Sequence, residues 1–217
     1  MPEAPKFMLL RAVLVGVSPI IARVLSVPDS LSLEELHEVM LLLLGWESHH
    51  FYSFRVHGQE ISRRYWLRRR RLKEFDLRRR EKLLYTYSSL DLWEWEFRVL
   101  DVEPAPSEEV WPRCLSGRGA APPEDLGGPQ AYMQFLDQER YYLPVAVPEL
   151  AELAFERMAF VLARQEDRDL LKDALKMGLE RSAQRLAKHA GFEPDRFSLQ
   201  EANDRLALFQ ARRRAYL

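Results

Sequence analysis

Residues 83–100 read "LLYTYSSLDLWEWEFRVL". Tyr85 and Tyr87 alternate with smaller residues, and Trp93, Trp95 and Phe97 alternate with Glu94 and Glu96. A period of two with aromatic residues on one side is the pattern of half-buried β-strands. Working outward, residues 7–17 are mostly apolar up to Ser18-Pro19 and predict a core strand. Residues 20–27, "IIARVLSV", predict a second strand, with Arg23 and Ser26 punctuating an apolar run. A helix follows, capped by Ser30 or Ser32, with Glu34 and Glu35 in its first turn and a stop at Gly45. Its apolar stripe is Leu33, Leu36, Val39, Met40, Leu43 and Leu44. "HHFYSFRV" alternates again and predicts a strand ending near Gly58.

The later part of the chain is helical in pattern. After a loop-dominated passage from Pro104 to Pro129, helices are expected at "PQAYMQFLD", over 148–165 and over 167–191. A last helix is expected after Ser198, with Glu201 completing a capping box. Strands and one helix first, strands in the middle and helices last predict an α+β fold rather than alternating βαβ. The expected sheet is largely antiparallel with packed helices and a helical C-terminal part. The expected division is a core over 1–144 and a helical region over 145–217 that packs on it.

Composition bounds the function. At 217 residues and 47% hydrophobic, the chain has ample material for a core. The single cysteine, Cys114, excludes an internal disulfide and a cysteine-based zinc clip. No apolar run is long enough to span a bilayer, and Glu3 without a basic leader argues against a signal peptide. A cytoplasmic protein with no membrane partner is the expectation. Net charge is −1, yet residues 60–84 hold eleven basic side chains against four acidic ones.

That segment is the leading candidate for a ligand. Arg63, Arg64, Arg68, Arg69, Arg70, Arg71, Lys73, Arg78, Arg79 and Arg80 could neutralise the phosphates of DNA or RNA. Tyr65, Trp66 and Phe75 could stack on unpaired bases. The plain alternative is a solvated loop whose arginines pair with nearby acids for about 0–1 kcal/mol each.

A second candidate set is His37, His50, Asp91, Glu124 and Asp125, which could form a metal or acid/base site if helix end and strands converge. No His-x-x-x-His, nucleophile elbow or phosphate-binding loop accompanies them. "GRGAAPPEDLGGP" has no Lys-Ser/Thr after its glycines, so Glu124 and Asp125 are expected to cap the helix opening near Gln130, in a rigid corner. No cofactor and no metal are expected. A third possibility is a protein-interaction module or homodimer through the C-terminal helices. Their stripes are Leu150, Leu153, Ala154, Met158 and Leu162, then Leu171, Leu175, Leu179 and Leu186.

Several stretches together resemble one family. They are "GVSPIIARVLSVPDSLSLEELHEVM", "GWESHHFYSF", "YTYSSLDLWEWEF", "CLSGRGAAPPEDLGGPQAYMQFL" and "GFEPDRFSLQEANDRL". The chain is similar to the plasmid ORF-3-like family, first named from a Ri plasmid and often labelled transposon-associated or TnpR-like. The resemblance implies an α+β domain and no established activity. Where the family has Tyr-Asp-Phe-Gly-Asp-x-Trp-x-His, this chain has Ser88, Leu90 and Trp95 at the first Asp, the Gly and the His; Asp91 and Trp93 remain. A family site using that Asp and His would be lost here. Ala22 also replaces a usual Trp. Ser18, before Pro19, does not resemble a recombinase nucleophile. The reading that results is a non-enzymatic binding or accessory protein with nucleic-acid contact through the Arg-rich segment.

Overall fold

A computed structural model describes residues 6–47, 50–88, 91–105, 112–124, 126–141 and 192–214, with helical residues also at 154–155, 157–158, 161 and 176. The chain divides into two compact units. One comprises Met1–Tyr132 with Pro194–Leu217, and the other is Met133–Glu193. The boundary expected at 144/145, and most of the two long helices with their leucine stripes, lie outside the described residues. Ala154 and Met158 of those stripes are described, and both are exposed. In the second unit the Phe135 and Phe192 rings meet edge to face at 5.7 Å.

The first unit is built on a seven-stranded sheet. Its strands are β1 (Lys6–Leu14), β2 (Ala22–Pro28), β3 (Tyr52–Val56), β4 (Gln59–Ile61), β5 (Lys82–Tyr87), β6 (Trp93–Pro104) and β7 (Arg113–Arg118). The order is β4-β3-β5-β6-β1-β2-β7, and every pairing is antiparallel. The α+β class is therefore as the sequence pattern predicts. Tyr85 pairs with Trp95 and Tyr87 with Trp93, so the alternating aromatics of 83–100 face the same way. All four, with Phe54 and Phe97, are fully buried. The intervening Glu94, Glu96 and Arg98 lie on the opposite face, where Lys82 Nζ and Arg98 both reach Glu96.

Helix α1 (Leu33–Leu44) covers the aromatic face. Ser32 caps it: its hydroxyl accepts the Glu35 N–H, and the Glu35 carboxylate accepts the Ser32 N–H. Gly45, at φ +72, ends it. Every residue of the expected stripe is buried, and so are Leu41 and His37.

Helix α4 (Leu199–Arg214) lies beside α1 and β7. Ala202, Leu206 and Phe209 form its buried stripe, and Ser198 accepts the Glu201 N–H at its start. Two further helices are α2 (Arg64–Arg69), followed by a 3-10 turn at Leu72–Phe75, and α3 (Gly128–Tyr141).

Two expectations need correction. The passage from Pro104 to Pro129 is not loop throughout, because Arg113–Arg118 forms β7 at the sheet edge. An edge strand needs partners on one side only, so Gly and Ser are tolerated. Its free side is closed by Asn203, whose carboxamide accepts the Cys114 N–H at 3.0 Å and donates to the Cys114 carbonyl at 2.9 Å. A Cβ on Gly117 would lie 2.5 Å from the Phe197 ring.

Arg23 is the other correction. It does more than punctuate an apolar run: its side chain points into the core, only 2% exposed. Its Nη1 donates to the carbonyls of Ala22 and Arg118, and its guanidinium lies 4.4 Å from the Phe197 ring centre. Burial pushes it down to about 10.

Candidate functional site

The side chains of Glu34, His37, Glu38, Leu41 and Leu42 follow the i, i+3, i+4, i+7, i+8 spacing and so share one side of α1. Together with Tyr52 at the start of β3 and Leu67 and Arg68 of α2, they line a cleft of about 990 Å³. Trp46, Glu47 and His50 also line it.

His37 is the chemical centre of this cleft. Its Nδ1 is 2.7 Å from the Tyr85 hydroxyl, and its ring stacks on Tyr52 at 3.5 Å and 8°. The residue is 4% exposed, and its Nε2 has no hydrogen-bond partner among the described residues. Burial pushes the imidazole down to about 4, so it is neutral near pH 7. Burial also raises the phenols, Tyr52 to about 12 and the fully buried Tyr85 well above its ordinary value. The rings of Trp46, Tyr87, His37 and Tyr52 form a row, with successive centroids 5.2, 5.9 and 3.5 Å apart. His50 meets Tyr87 edge-on at 5.5 Å.

The corner at Pro122–Glu124 is held by contacts other than those the sequence suggests. Trp46 Nε1 donates to the Pro122 carbonyl at 2.8 Å, and Trp93 Nε1 to the Glu124 carbonyl at 2.9 Å. The Glu124 carboxylate accepts the Glu47 N–H at 2.5 Å and contacts the Tyr87 hydroxyl, which also reaches the Glu47 carbonyl. Glu124 therefore ties the end of α1 to β5 instead of capping the helix near Gln130. That helix begins against a different group: a Cβ on Gly128 would lie 2.1 Å from the Asp91 carbonyl oxygen. Three of the stretches that carry the family resemblance thus meet at one clamp, through Trp46, Tyr87 with Trp93, and Glu124.

The second candidate set is only partly gathered. His37 and His50 line the cleft, and Glu124 sits in the clamp behind Tyr87. Asp91 occupies the turn before β6, where its N–H is bound by the Ser88 hydroxyl. It makes no contact with either histidine among the described interactions. Asp125 lies outside the described residues. Among the described residues, no group of three or more His, Cys, Asp or Glu side chains could hold a metal ion.

The Arg-rich segment is folded. Leu67, Leu72, Phe75 and Leu77 are buried and anchor it. Phe75 is therefore not available to stack on a base, because it lies inside under Arg70. Arg64 and Arg68 both reach Glu34, Arg70 pairs with Glu74, and Arg78 with Asp76. Arg71 donates to the Ser30 carbonyl. Arg63, Arg69, Lys73, Arg79 and Arg80 have no carboxylate partner among the described residues. Tyr65 and Trp66 are 55% and 48% exposed and meet edge to face, with Arg69 over the Tyr65 ring.

Sequence reasoning found His37, His50, Arg64 and Arg68 but in separate sets. It missed Trp46, Tyr52, Glu38 and Arg212 as walls of the same cleft. The helical spacing of Glu34, His37 and Glu38 is the signal that could have joined them.

Comparison with known proteins gives a family without an activity. Residues 6–141 match the model of the plasmid pRiA4b ORF-3-like protein family. The chain is 31% identical over 137 residues to the uncharacterized protein y4hQ of Sinorhizobium fredii, covering 59% of this chain and 70% of that one. The crystal structure of a protein of unknown function, MM3350, from Methanosarcina mazei Go1 superposes with a TM-score of 0.64 at 20% identity. That match covers 92% of this chain and 98% of the other, and shows a shared fold. None of these descriptions mentions a recombinase. No helix among the described residues is long and apolar enough to cross a membrane.

Proposed function

For this chain, which belongs to the plasmid pRiA4b ORF-3-like family, we propose a non-catalytic binding role in which α2 contacts single-stranded nucleic acid. The observation that carries this reading is the pair of exposed rings, Tyr65 and Trp66, set among guanidiniums on one short helix. Arg63, Trp66 and Arg70 flank a groove of about 460 Å³. Cations over and beside exposed aromatic faces suit phosphates and unstacked bases together. Duplex bases are already stacked and leave such rings without a partner. Arg64 and Arg68 are engaged by Glu34, so Arg63 and Arg69 are the phosphate contacts in this reading.

The acid/base alternative has less support. His37 is neutral, its Nδ1 faces a phenol rather than a carboxylate, and Asp91 is elsewhere. A positioned proton donor or acceptor needs a reacting partner within hydrogen-bond reach.

The test is a fluorescence-anisotropy titration with labelled single-stranded DNA and RNA and with a duplex, across a salt series. Single strands should bind better than the duplex, and affinity should fall steeply as salt rises. The double variant Arg63→Ala/Arg69→Ala should lower the salt slope by about two, roughly one per phosphate contact. Absence of binding at low salt, or tighter binding of the duplex, would overturn the reading.

A further inference from the structure

The face of the sheet turned away from α1 is not the polar face that a solvated antiparallel sheet usually shows. The outward positions of its interior strand β1, continued by Val15, are Phe7, Leu9, Arg11, Val13 and Val15, and only Arg11 is polar. Phe7, Leu9 and Val13 keep part of their surface exposed, and Val15 and Ile20 are 39% and 37% exposed. Val13, Val15 and Ile20 border a hollow of about 420 Å³, together with Arg11, Glu96 and Arg98. The charges on this face are unevenly answered. Glu96 on β6 receives both Lys82 and Arg98, at 2.6 and 3.1 Å. Arg11 stands directly across from Arg98 in the β1–β6 register, where like charges repel. Among the described residues Arg11 has no carboxylate partner and Glu94 no cationic one.

We propose that this face docks a second copy of this chain, in a two-fold dimer held by apolar contact along β1 and by reciprocal Arg11–Glu94 pairs. Arg11 and Glu94 lie on neighbouring strands, on either side of the Val13–Glu96 register pair. The main chain fixes that placement, because the Val15 N–H donates to the Glu94 carbonyl at 2.8 Å. A two-fold axis between the sheets, running across the strands at Val13, lays Arg11 of each copy over Glu94 of the other. Such reciprocity is what a self-complementary interface requires. One unanswered cation and one unanswered anion per copy are then both paired, while Glu96 stays with its own two cations. Sheets packed face to face sit about 10 Å apart and interdigitate their side chains. Val15 and Ile20 supply the protruding groups, and the hollow beside them receives those of the facing copy. Helix α2 is held against α1, on the other side of the sheet, so the dimer stands or falls independently of nucleic-acid contact.

The test is sedimentation velocity of the full chain across the micromolar range, with a charge swap. The unmodified chain should show a concentration-dependent dimer. Arg11→Glu or Glu94→Arg alone sets like charges against each other across the interface and should weaken the dimer at least about tenfold. The double variant Arg11→Glu/Glu94→Arg restores the pair with its signs reversed and should return to within about threefold of the unmodified chain. Arg11→Gln and Glu94→Gln remove the pair without repulsion and should each weaken the dimer by about threefold. These two decide the matter if a reversal variant does not fold. A monomer throughout the range, a dimer unmoved by the folded reversal or Gln variants, or a double variant no tighter than its single parents would overturn the proposal.

Discussion

Replacing Asn203 with Ala removes the group that closes the free edge of the sheet. The carboxamide accepts one hydrogen bond from Cys114 and donates others to Cys114 and Leu199. Cys114 is buried, so its N–H and carbonyl would both lose their partners. An unpaired buried polar group costs about 1–3 kcal/mol. These bonds are only part-buried, and water can recover some of that loss, so the expected total is about 2–3 kcal/mol. For a chain of this size the melting midpoint should fall by about 4–12 °C. Urea unfolding gives the free energy, and hydrogen exchange reads the Cys114 amide directly. Asn203→Asp keeps an acceptor for that amide but turns an oxygen toward the Cys114 carbonyl. It should therefore destabilise while leaving the Cys114 amide protected. A change in Asn203→Ala of less than about 0.5 kcal/mol, with Cys114 protection intact, would refute the reasoning.

His37 has its pKa lowered in the fold to about 4, against 6.5 for the free side chain, so the unfolded chain binds the extra proton between these values. Stability should be full above about pH 6.5, fall by about 2 kcal/mol by pH 5, and stop falling below about pH 4. Urea unfolding at pH 7.5 and 5 should show this difference, and His37→Gln should remove most of it. Gly58 and Gly128 both have positive φ, at +78 and +84, but a Cβ on Gly58 meets open space and one on Gly128 meets the Asp91 carbonyl. Gly58→Ala should cost about 1–2 kcal/mol, and Gly128→Ala clearly more in the same unfolding assay, because backbone must move. Trp46→Phe should keep the ring row but lose the bond to the Pro122 carbonyl, lowering stability by about 1–2 kcal/mol by urea unfolding.

The sheet was legible where side chains alternate strictly. Tyr85, Tyr87, Trp93, Trp95 and Phe97 announce a buried face through period alone, and Ser32, Glu35 and Gly45 announce both ends of α1. β7 was hidden because its Ser116 and Gly117 are turn formers locally. Its strand state depends on β2 and Asn203, the latter 89 residues away in sequence. Arg23 was misjudged for the same reason: only the Phe197 ring and the edge carbonyls make a buried guanidinium tolerable there. Ser88 and Trp95, at the positions where the resemblance implies Asp and His, are both buried, and Trp95 Nε1 has no partner among the described residues. Glu124 was expected to cap the helix near Gln130, and a short Pro-Pro-Glu-Asp string does not reveal that its partners are Tyr87 and Glu47. The α1 wall of the cleft was legible in the spacing of Glu34, His37 and Glu38, but its walls from α2, β3 and α4 are joined to it only by the fold.

Tryptophan fluorescence gives the most direct test of α2 as the binding surface. Trp66 is half-exposed, while Trp46, Trp93 and Trp95 are buried, so Trp66 dominates the solvent-quenchable emission of the described tryptophans. Adding a single-stranded oligonucleotide at low salt should quench that emission, with a midpoint matching the anisotropy titration, and Trp66→Leu should abolish the quench and weaken binding by about 1–3 kcal/mol. Binding with unchanged affinity in Trp66→Leu, or no quench at saturating oligonucleotide, would contradict the account.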